Sequence, residues 1–325
     1  MNKQISLSAL SDELANVRTK KKEFLEQIDR IVPWGEWITI VRPHYYKGER
    51  GNKPYDLELM LRIYMLENLY DLSDMGTVAE VIDSRAFSEF CGVESSNQVP
   101  DGDTLGRFRN LLEQHGLQQQ FFSQVIAMLM DKGLILKKGT IVDSTIIAAP
   151  SSTKNQKKER DPDAHQVKKG NAWHFGYKAH IGVDKDSGLV HTVEVTSANV
   201  HDVTMVPKLL TGEETVVYGD SGYLGAEKRE DAVTRNNKGK KIKYKTNRRP
   251  SQIKNKSNRS QAQIKRREHE KSSVRAKVEH VFGVVKGELR YRKTRYRGLR
   301  KQTAKNYIMF AVANLYLADR KNLAV

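Results

Sequence analysis

Cysteine is nearly absent: Cys91 is the only one in 325 residues. One thiol excludes an intramolecular disulfide and a thiolate zinc site, and it fits a reducing compartment. The nine histidines show no close pair with a cysteine partner, so zinc is not expected. Apolar residues are also scarce, at 38% against a usual ~45–50%, and mean hydropathy is −0.64. No run approaches the roughly 18 apolar residues that would span a membrane. The first fifteen residues, MNKQISLSALSDELA, lack the apolar centre of a secretory signal. The expectation is an intracellular protein that uses no membrane. No Walker-type glycine loop is present, so no nucleotide cofactor is expected.

What the chain has in excess is positive charge. Lysine and arginine number 56 against 39 acidic residues, a net of +17, with a pI near 9.7. The excess is local. Residues 228–301 hold 27 Lys+Arg and 6 Asp+Glu, a net of +21, whereas residues 1–136 hold 15 basic and 20 acidic residues, a net of −5. A long polyanion is the natural partner for such a block, with binding that weakens steeply as salt rises. Lys240, Lys241, Lys243, Lys245, Arg248 and Arg249 are its densest stretch.

Residues 1–136 read as helical. LELMLRIYMLENLYDL at 57–72 repeats apolar residues near helical spacing, and a short helix is expected near 75–90. In VPDGDTLGRFRNLLEQHG at 99–116, Asp103 or Thr104 can cap a helix and Gly116 can stop it. Leu105, Phe108, Leu111 and Leu112 then face inward, with Arg107 and Arg109 outward. Such a set suits a helix-turn-helix module or a helical packing domain. From 139 the pattern changes. GTIVDSTII at 139–147 and TVVYGD at 215–220 read as buried strands. HFGYKAHIGVDKDSGLVHTVEVT at 174–196 reads as a hairpin broken at Asp186-Ser187-Gly188, and 151–171 as an exposed loop. HDVTMVPKLL at 201–210 suggests a short helix with Asp202 as cap, the alternative for His201-Asp202 being a position near bound metal; SGYLGAEKREDAV at 221–233 suggests a further helix, and 272–290 a long one. Trp34, Trp37 and Trp173 are candidates either for packing or for stacking on bases.

Two carboxylates interrupt apolar strands. Asp143 follows Ile141-Val142, and Asp220 ends Val216-Val217-Tyr218-Gly219. Buried carboxylates are costly unless paired or metal-bound. A third, Glu279, falls within about 40° of Arg275 and Lys286 on a helical projection, more than 100° from a stripe of Val274, Val278, Val281 and Val285. Three carboxylates form a hard oxygen site that suits magnesium or manganese. Two such ions can clamp the attacking and leaving oxygens of a phosphoryl displacement, and adjacent cations suit a phosphate substrate.

Asp143 after a β-branched run, the Asp220-Ser-Gly-Tyr turn, and Arg275-x3-Glu279-x6-Lys286 together resemble the DDE insertion-sequence transposases of bacteria. The stretches at 50–74, 99–116 and 174–202 resemble the N-terminal helices and central hairpin of that family. The resemblance implies an α/β ribonuclease H-like catalytic domain over 137–325, a mixed sheet with flanking helices, behind an all-α region over 1–136. It implies a basic insertion at about 228–270. Asp143, Asp220 and Glu279 would be the catalytic carboxylates and the ligands of two magnesium or manganese ions, with Arg275 and Lys286 positioning phosphates. The activity implied is metal-dependent phosphodiester cleavage that frees a 3′-hydroxyl, then strand transfer into target DNA. Partners would be the element's terminal inverted repeats and target DNA. Arg107, Arg109 and the 240–249 cations would be DNA contacts, on a homodimer located in the cytoplasm at the nucleoid. Relatives begin the helix signature with a tyrosine three residues before the arginine; Ser272 stands there, so that tyrosine's role does not carry over.

Gly219-Asp220-Ser221-Gly222 copies the nucleophile segment of trypsin-like proteases. No Ala-Ala-His-Cys segment supplies their base, and a single cysteine does not fit such disulfide-bonded enzymes. A non-catalytic DNA-binding protein would explain the basic block but not Asp143 inside an apolar strand. A nuclease of the same fold without strand transfer fits the sequence equally well.

Overall fold

The computed structural model describes residues 18–48, 53–254 and 258–321. By internal contacts the chain divides after Leu117 into two compact units. No helix among the described residues is long and apolar enough to cross a membrane.

The first unit is helical, as expected. Its described α-helices are α1 (Lys20–Ile31), α2 (Trp34–Val41), α3 (Leu57–Tyr70), α4 (Asp74–Asp83), α5 (Arg85–Cys91) and α6 (Gly102–Gln114). Local capping sets several of the starts. Thr19, Asp56, Ser73 and Asp101 each accept a bond from the backbone N–H three residues on, satisfying a donor that the first turn leaves unpaired. The cap of α6 is therefore Asp101, not Asp103 or Thr104. The stretch near 75–90 is two helices, because Ser84 takes an extended backbone between them. Helix α3 is buried nearly all round, from Leu57 to Leu69, which makes it the centre of this unit.

Two arginines tie the helices together. Arg62 sits 2.7 Å from Asp29 on α1, bonds Glu58, and stacks 4.8 Å over the Trp34 ring. Trp37 is fully buried beside Trp34, so these two tryptophans serve packing. Arg109 corrects the sequence reading. It is 9% exposed and pairs with buried Glu67 on α3 at 2.5 Å and with Asp74 on α4. A guanidinium so enclosed is not a DNA contact. The buried Glu67 carboxylate needs a cation in reach, and α6 supplies it. Arg107 is exposed, with its guanidinium on the Thr104 hydroxyl. Arg109→Ala should lower the stability of the full chain by about 3–5 kcal/mol in chemical denaturation, since it strands a buried charge. Arg107→Ala should leave the unfolding midpoint unchanged.

The second unit begins with α7 (Leu117–Asp131). The expected boundary at 136 falls later than the division after Leu117. The reason is packing: Phe122 of α7 lies 5.7 Å from Tyr307 on the long C-terminal helix α11 (Leu299–Arg320).

Six strands form one mixed sheet: β1 (Gly139–Ala148), β2 (His165–Lys169), β3 (Ala172–Asp184), β4 (Val190–Ser197), β5 (Val216–Gly219) and β6 (Lys243–Thr246). The main order is β4-β3-β1-β5-β6, with β2 paired only to the outer end of β3. β3 runs antiparallel to both β1 and β4, while β5 runs parallel to both β1 and β6. This is the ribonuclease H-like arrangement that the sequence implies. The hairpin break sits where expected because buried Asp184 accepts from the backbone of Asp186 and Ser187 in the turn, and from Leu136 and Lys137 at the entry to β1. Asn314 of α11 exchanges both its amide bonds with Val190 and so docks that helix on β4.

Several expectations change. Residues 151–171 are not all loop, since 165–169 pair as β2. The short helix expected at 201–210 is confined to α8 (Val206–Leu209), after a 3-10 turn at Asp202–Met205. Asp202 does not cap that turn; His201 occupies the cap position without a side-chain bond, and Asp202 pairs with Lys178. Residues 221–233 form short 3-10 turns at 221–223 and 226–228 instead of a helix. The basic segment at 228–270 is not an insertion outside the fold. Ile242 and Tyr244 point into the core around Val142, Val217 and Tyr223, and 243–246 close the sheet as β6. From β6 the chain passes through α9 (Pro250–Lys254) to α10 (Asn258–Gly283), whose first half carries the rest of that segment. A π-turn at Val284–Glu288 ends α10, so the regular helix expected to 290 stops at 283.

Candidate active site

Asp143 lies in the middle of β1, the strand flanked by β3 and β5. Its neighbours Ile141 and Val142 are fully buried on opposite faces. Side chains alternate along a strand, so Asp143 shares the Ile141 face. There Arg275 of α10 places Nη2 3.9 Å from Asp143 Oδ2. The Ser144 backbone N–H donates to Asp143 Oδ1 at 2.7 Å. Burial pushes the Asp143 pKa up to about 6; the Ser144 N–H and Arg275 pull it down, and Asp220 and Glu279 push it up again. The end of β5 and α10 thus bring their carboxylates within electrostatic reach of Asp143 on β1.

Asp220 follows the last residue of β5, and its Oδ1 accepts from Gly222 N–H at 2.7 Å, closing the Asp-Ser-Gly-Tyr turn. That turn directs Tyr223 inward. The Tyr223 hydroxyl is buried, and its pKa is held well above the usual value by burial and by Asp143, Asp202 and Asp220. Glu279 is exposed on α10, one turn past Arg275 and next to Val278 and Val281, which are buried. The helix therefore packs by its valine stripe as expected.

Lys286 sits on the π-turn, not on the regular helix, and its Nζ donates to the Ile146 carbonyl of β1 at 2.9 Å. Burial, with Lys169 and Arg292 nearby, lowers its pKa. Lys240, Lys241, Lys243, Lys245, Arg248 and Arg249 are all exposed on or beside β6, the alternation that buries Ile242 turning Lys243 and Lys245 outward. These cations lie at the β6 side of the sheet, next to the strand that ends in Asp220.

Asn247 escaped the sequence reading. Its N–H donates to the Gly219 carbonyl at 3.1 Å, its side-chain amide donates to Glu268 and Ser272 of α10, and its Oδ1 accepts from Arg275 at 3.3 Å. It therefore links the strand end before Asp220 to the helix of Glu279. Ser272, in the place of the relatives' tyrosine, gives its hydroxyl to this link. Asp202 was read as a cap, with a position near bound metal as the alternative. It lies close enough to act on Tyr223 and is held by Lys178 at 3.0 Å, with the His180 ring 3.6 Å away. Burial drops the His180 pKa to about 4, so that ring is neutral near pH 7. No local pattern marks either residue, since their partners lie on other elements.

The donor set is chemically suited to a hard cation, being three carboxylates with one pKa raised in part by the other two. The Nε of Arg275 is buried without a hydrogen-bond partner among the described residues, and its Nη2 is the atom that faces Asp143. As the side chains stand, no group of three or more His, Cys, Asp or Glu among the described residues is close enough to hold an ion. A raised carboxyl has a definite stability consequence. Asp143 holds its proton more tightly folded than unfolded, so the wild type loses stability as pH rises from about 4 to 6, and the loss persists above. Asp143→Asn in chelator should show no gain below pH 4 and a gain approaching about 2–3 kcal/mol above pH 6. Urea denaturation across pH checks this.

Residues 135–315 match the transposase DDE domain family, and residues 12–111 match a transposase domain, DUF772. A cryo-EM structure of the piggyBac transposase synaptic complex with hairpin DNA aligns at a TM-score of 0.46 and 10% identity, over 94% of this chain and 75% of that one. With more than half its length matched over the very span that carries Asp143, Asp220 and Glu279, this chain belongs to the DDE transposase family.

Proposed function

We propose that the chain cleaves DNA at the ends of a mobile element and joins the freed 3′-hydroxyl to target DNA. The observation that carries this is Asp143: a carboxylate placed in a central strand directly after buried Ile141 and Val142, with two further carboxylates from separate elements in electrostatic reach. Such an arrangement is unfavourable by itself and becomes favourable around a multivalent cation. Asp143, Asp220 and Glu279 would hold magnesium or manganese, as two ions. When bound, the ions supply the charge that stabilises both oxygens of a phosphodiester displacement.

The chain's own residues divide the remaining work. Arg275 would offer the guanidinium edge that faces Asp143 to a phosphate oxygen. Lys286, anchored on Ile146, adds positive charge further along β1. Asn247 and the Gly222 N–H hold Arg275 and Asp220 in orientation. The exposed cations of 240–249 would carry the DNA backbone toward the Asp220 end of the sheet. Arg107, at the surface of the helical unit, remains a candidate contact to element ends. A nuclease without strand transfer would use the same carboxylates, and it differs only in failing to join a 3′-hydroxyl to a second DNA.

Asp143→Asn, Asp220→Asn and Glu279→Gln should each abolish magnesium-dependent cleavage of end DNA while binding survives. A variant that cuts near the wild-type rate would remove its residue from the ligand set. Arg275→Gln and Lys286→Gln should slow cleavage or strand transfer about 100- to 1000-fold, as removal of a preorganised charge typically does. Rates within about threefold of wild type would leave these two as structural contacts only.

Neutralising Lys240, Lys241, Lys243, Lys245, Arg248 and Arg249 together should lower the slope of log affinity against log salt by about 0.9 for each phosphate they neutralise in the wild type. An unchanged slope would assign these residues to a solvated face.

A further inference from the structure

Strands β2 and β3 extend past the body of the sheet as a two-stranded ribbon. β1 pairs with β3 only as far as Ala148 opposite Gly176, and β3 residues 172–176 pair instead with β2. Gly176 makes the departure possible, because a Cβ there would meet the Ile147 carbonyl oxygen at 2.1 Å. The base of the ribbon is fixed. The buried Tyr177 hydroxyl donates to Asp161 at 2.5 Å, Asp161 accepts from Gly298 N–H, and Arg297 donates to the Glu159 carbonyl. The tip is open: in β2 only Val167 is partly covered, and Ala172 and Trp173 are exposed.

One ribbon face combines aromatic and basic groups. Trp173 lies directly opposite Lys168 in the register, and Phe175, two residues on, shares that face. Trp173 is 67% exposed, which leaves a large apolar ring in water without a packing partner. Arg160 lies 5.6 Å over the Phe175 ring. The other face carries Lys169, close enough to Lys286 and, like Arg292, to help lower the Lys286 pKa. Two cations beside a third suit a phosphate chain. Asp143 pairs with Ile181 in the register, and from Ile181 to Trp173 is eight strand residues, roughly 26 Å at about 3.3 Å each. That is about eight nucleotides along one strand at ~3.4 Å per step.

We propose that the β2–β3 ribbon is a stacking arm for the DNA substrate, with Trp173 as the platform for one unpaired base about eight nucleotides from the scissile phosphate. Lys168 and Arg160 would flank the backbone of that nucleotide. An intact duplex covers both faces of its bases, so the arm discriminates for an exposed base, the sequence-tolerant mode of aromatic stacking. The proposal rests on the reading of the chain as a DNA transposase.

The test uses the full chain and two probes, a single strand of about 20 bases, longer than the ~4–16 nucleotides that one single-strand site covers, and the same sequence as a blunt duplex. Binding is followed by anisotropy, and tryptophan emission is recorded in parallel. Wild type should bind both, with emission quenched by the single strand. Trp173→Ala should weaken single-strand binding about 5- to 100-fold and remove the quench, with duplex binding essentially unchanged. Trp173→Phe should restore most of the affinity. Equal loss on both probes, or no loss on either, overturns the stacking arm while leaving the DNA reading intact. Failure of wild type to bind either probe overturns both readings. A change of oligomeric state in Trp173→Ala by light scattering, with DNA binding unchanged, would make the ring a contact between copies and also overturn the arm. Because the ring is exposed, the melting temperature should be unaltered in both variants, which separates loss of stacking from loss of fold.

Discussion

A carboxylate in the middle of a central strand is the constraint around which the catalytic unit is arranged. Asp143 has fully buried neighbours along the chain, a strand on either side, and two more carboxylates before it. Its cost is only partly offset by one backbone N–H and by an arginine at 3.9 Å. A sheet optimised for stability alone would put valine there. Retaining the aspartate means that this part of the protein is not at its own energetic minimum without a counter-ion, which is the usual condition of a site built for charge.

That arrangement has chemical value only if the partners are held against it. Asp220 is positioned by its own turn, and α10 by contacts to the sheet from both its ends. Lys271 donates to the Thr246 carbonyl, Lys277 to the carbonyls of Lys185 and Asp186, and, beyond the π-turn's start, Lys286 to that of Ile146. Asn247 completes the set between β5 and Arg275. The contacts reach β6, the β3–β4 turn and β1, three separate parts of the sheet, so the helix cannot roll without breaking several at once. Angular control of Glu279 follows from this, although Glu279 itself is exposed.

Much of this was legible in the sequence for a simple reason. Strands β1 and β5, the hairpin, and helices α3 and α6 announce themselves by apolar periodicity, and Asp143 and Asp220 stand out because they violate it. What stayed hidden depends on partners distant in sequence. Lys243-Tyr-Lys-Thr is too short and too basic to read as a strand until β5 offers it a parallel edge and Tyr244 a core. Arg109 looked exposed because helical projection fixes a face but not what packs there, and Glu67 and Asp74 arrive from two other helices. The π-turn at 284–288 has no sequence signature here, yet it changes the phase in which Lys286 projects.

The basic block then has two roles, and net charge alone cannot separate them. Some of its cations are committed to carbonyl oxygens of the fold: Lys271, Lys277 and Lys286 each bond a backbone acceptor. Others on β6 project to solvent because strand alternation sends them there. A lysine bound to a carbonyl still contributes its charge to the local field, since that acceptor is neutral. The field around α10 is thus set by side chains whose first task is to fix the helix, which ties the electrostatics of substrate approach to the geometry of the site. For that reason the density of lysine in this segment does not behave as a disordered tail would. Part of its charge, 9 of 27 cations, is carried on α10 and β6 at positions set by the fold, and a phosphate chain bound there would meet a preorganised surface rather than condense a flexible one.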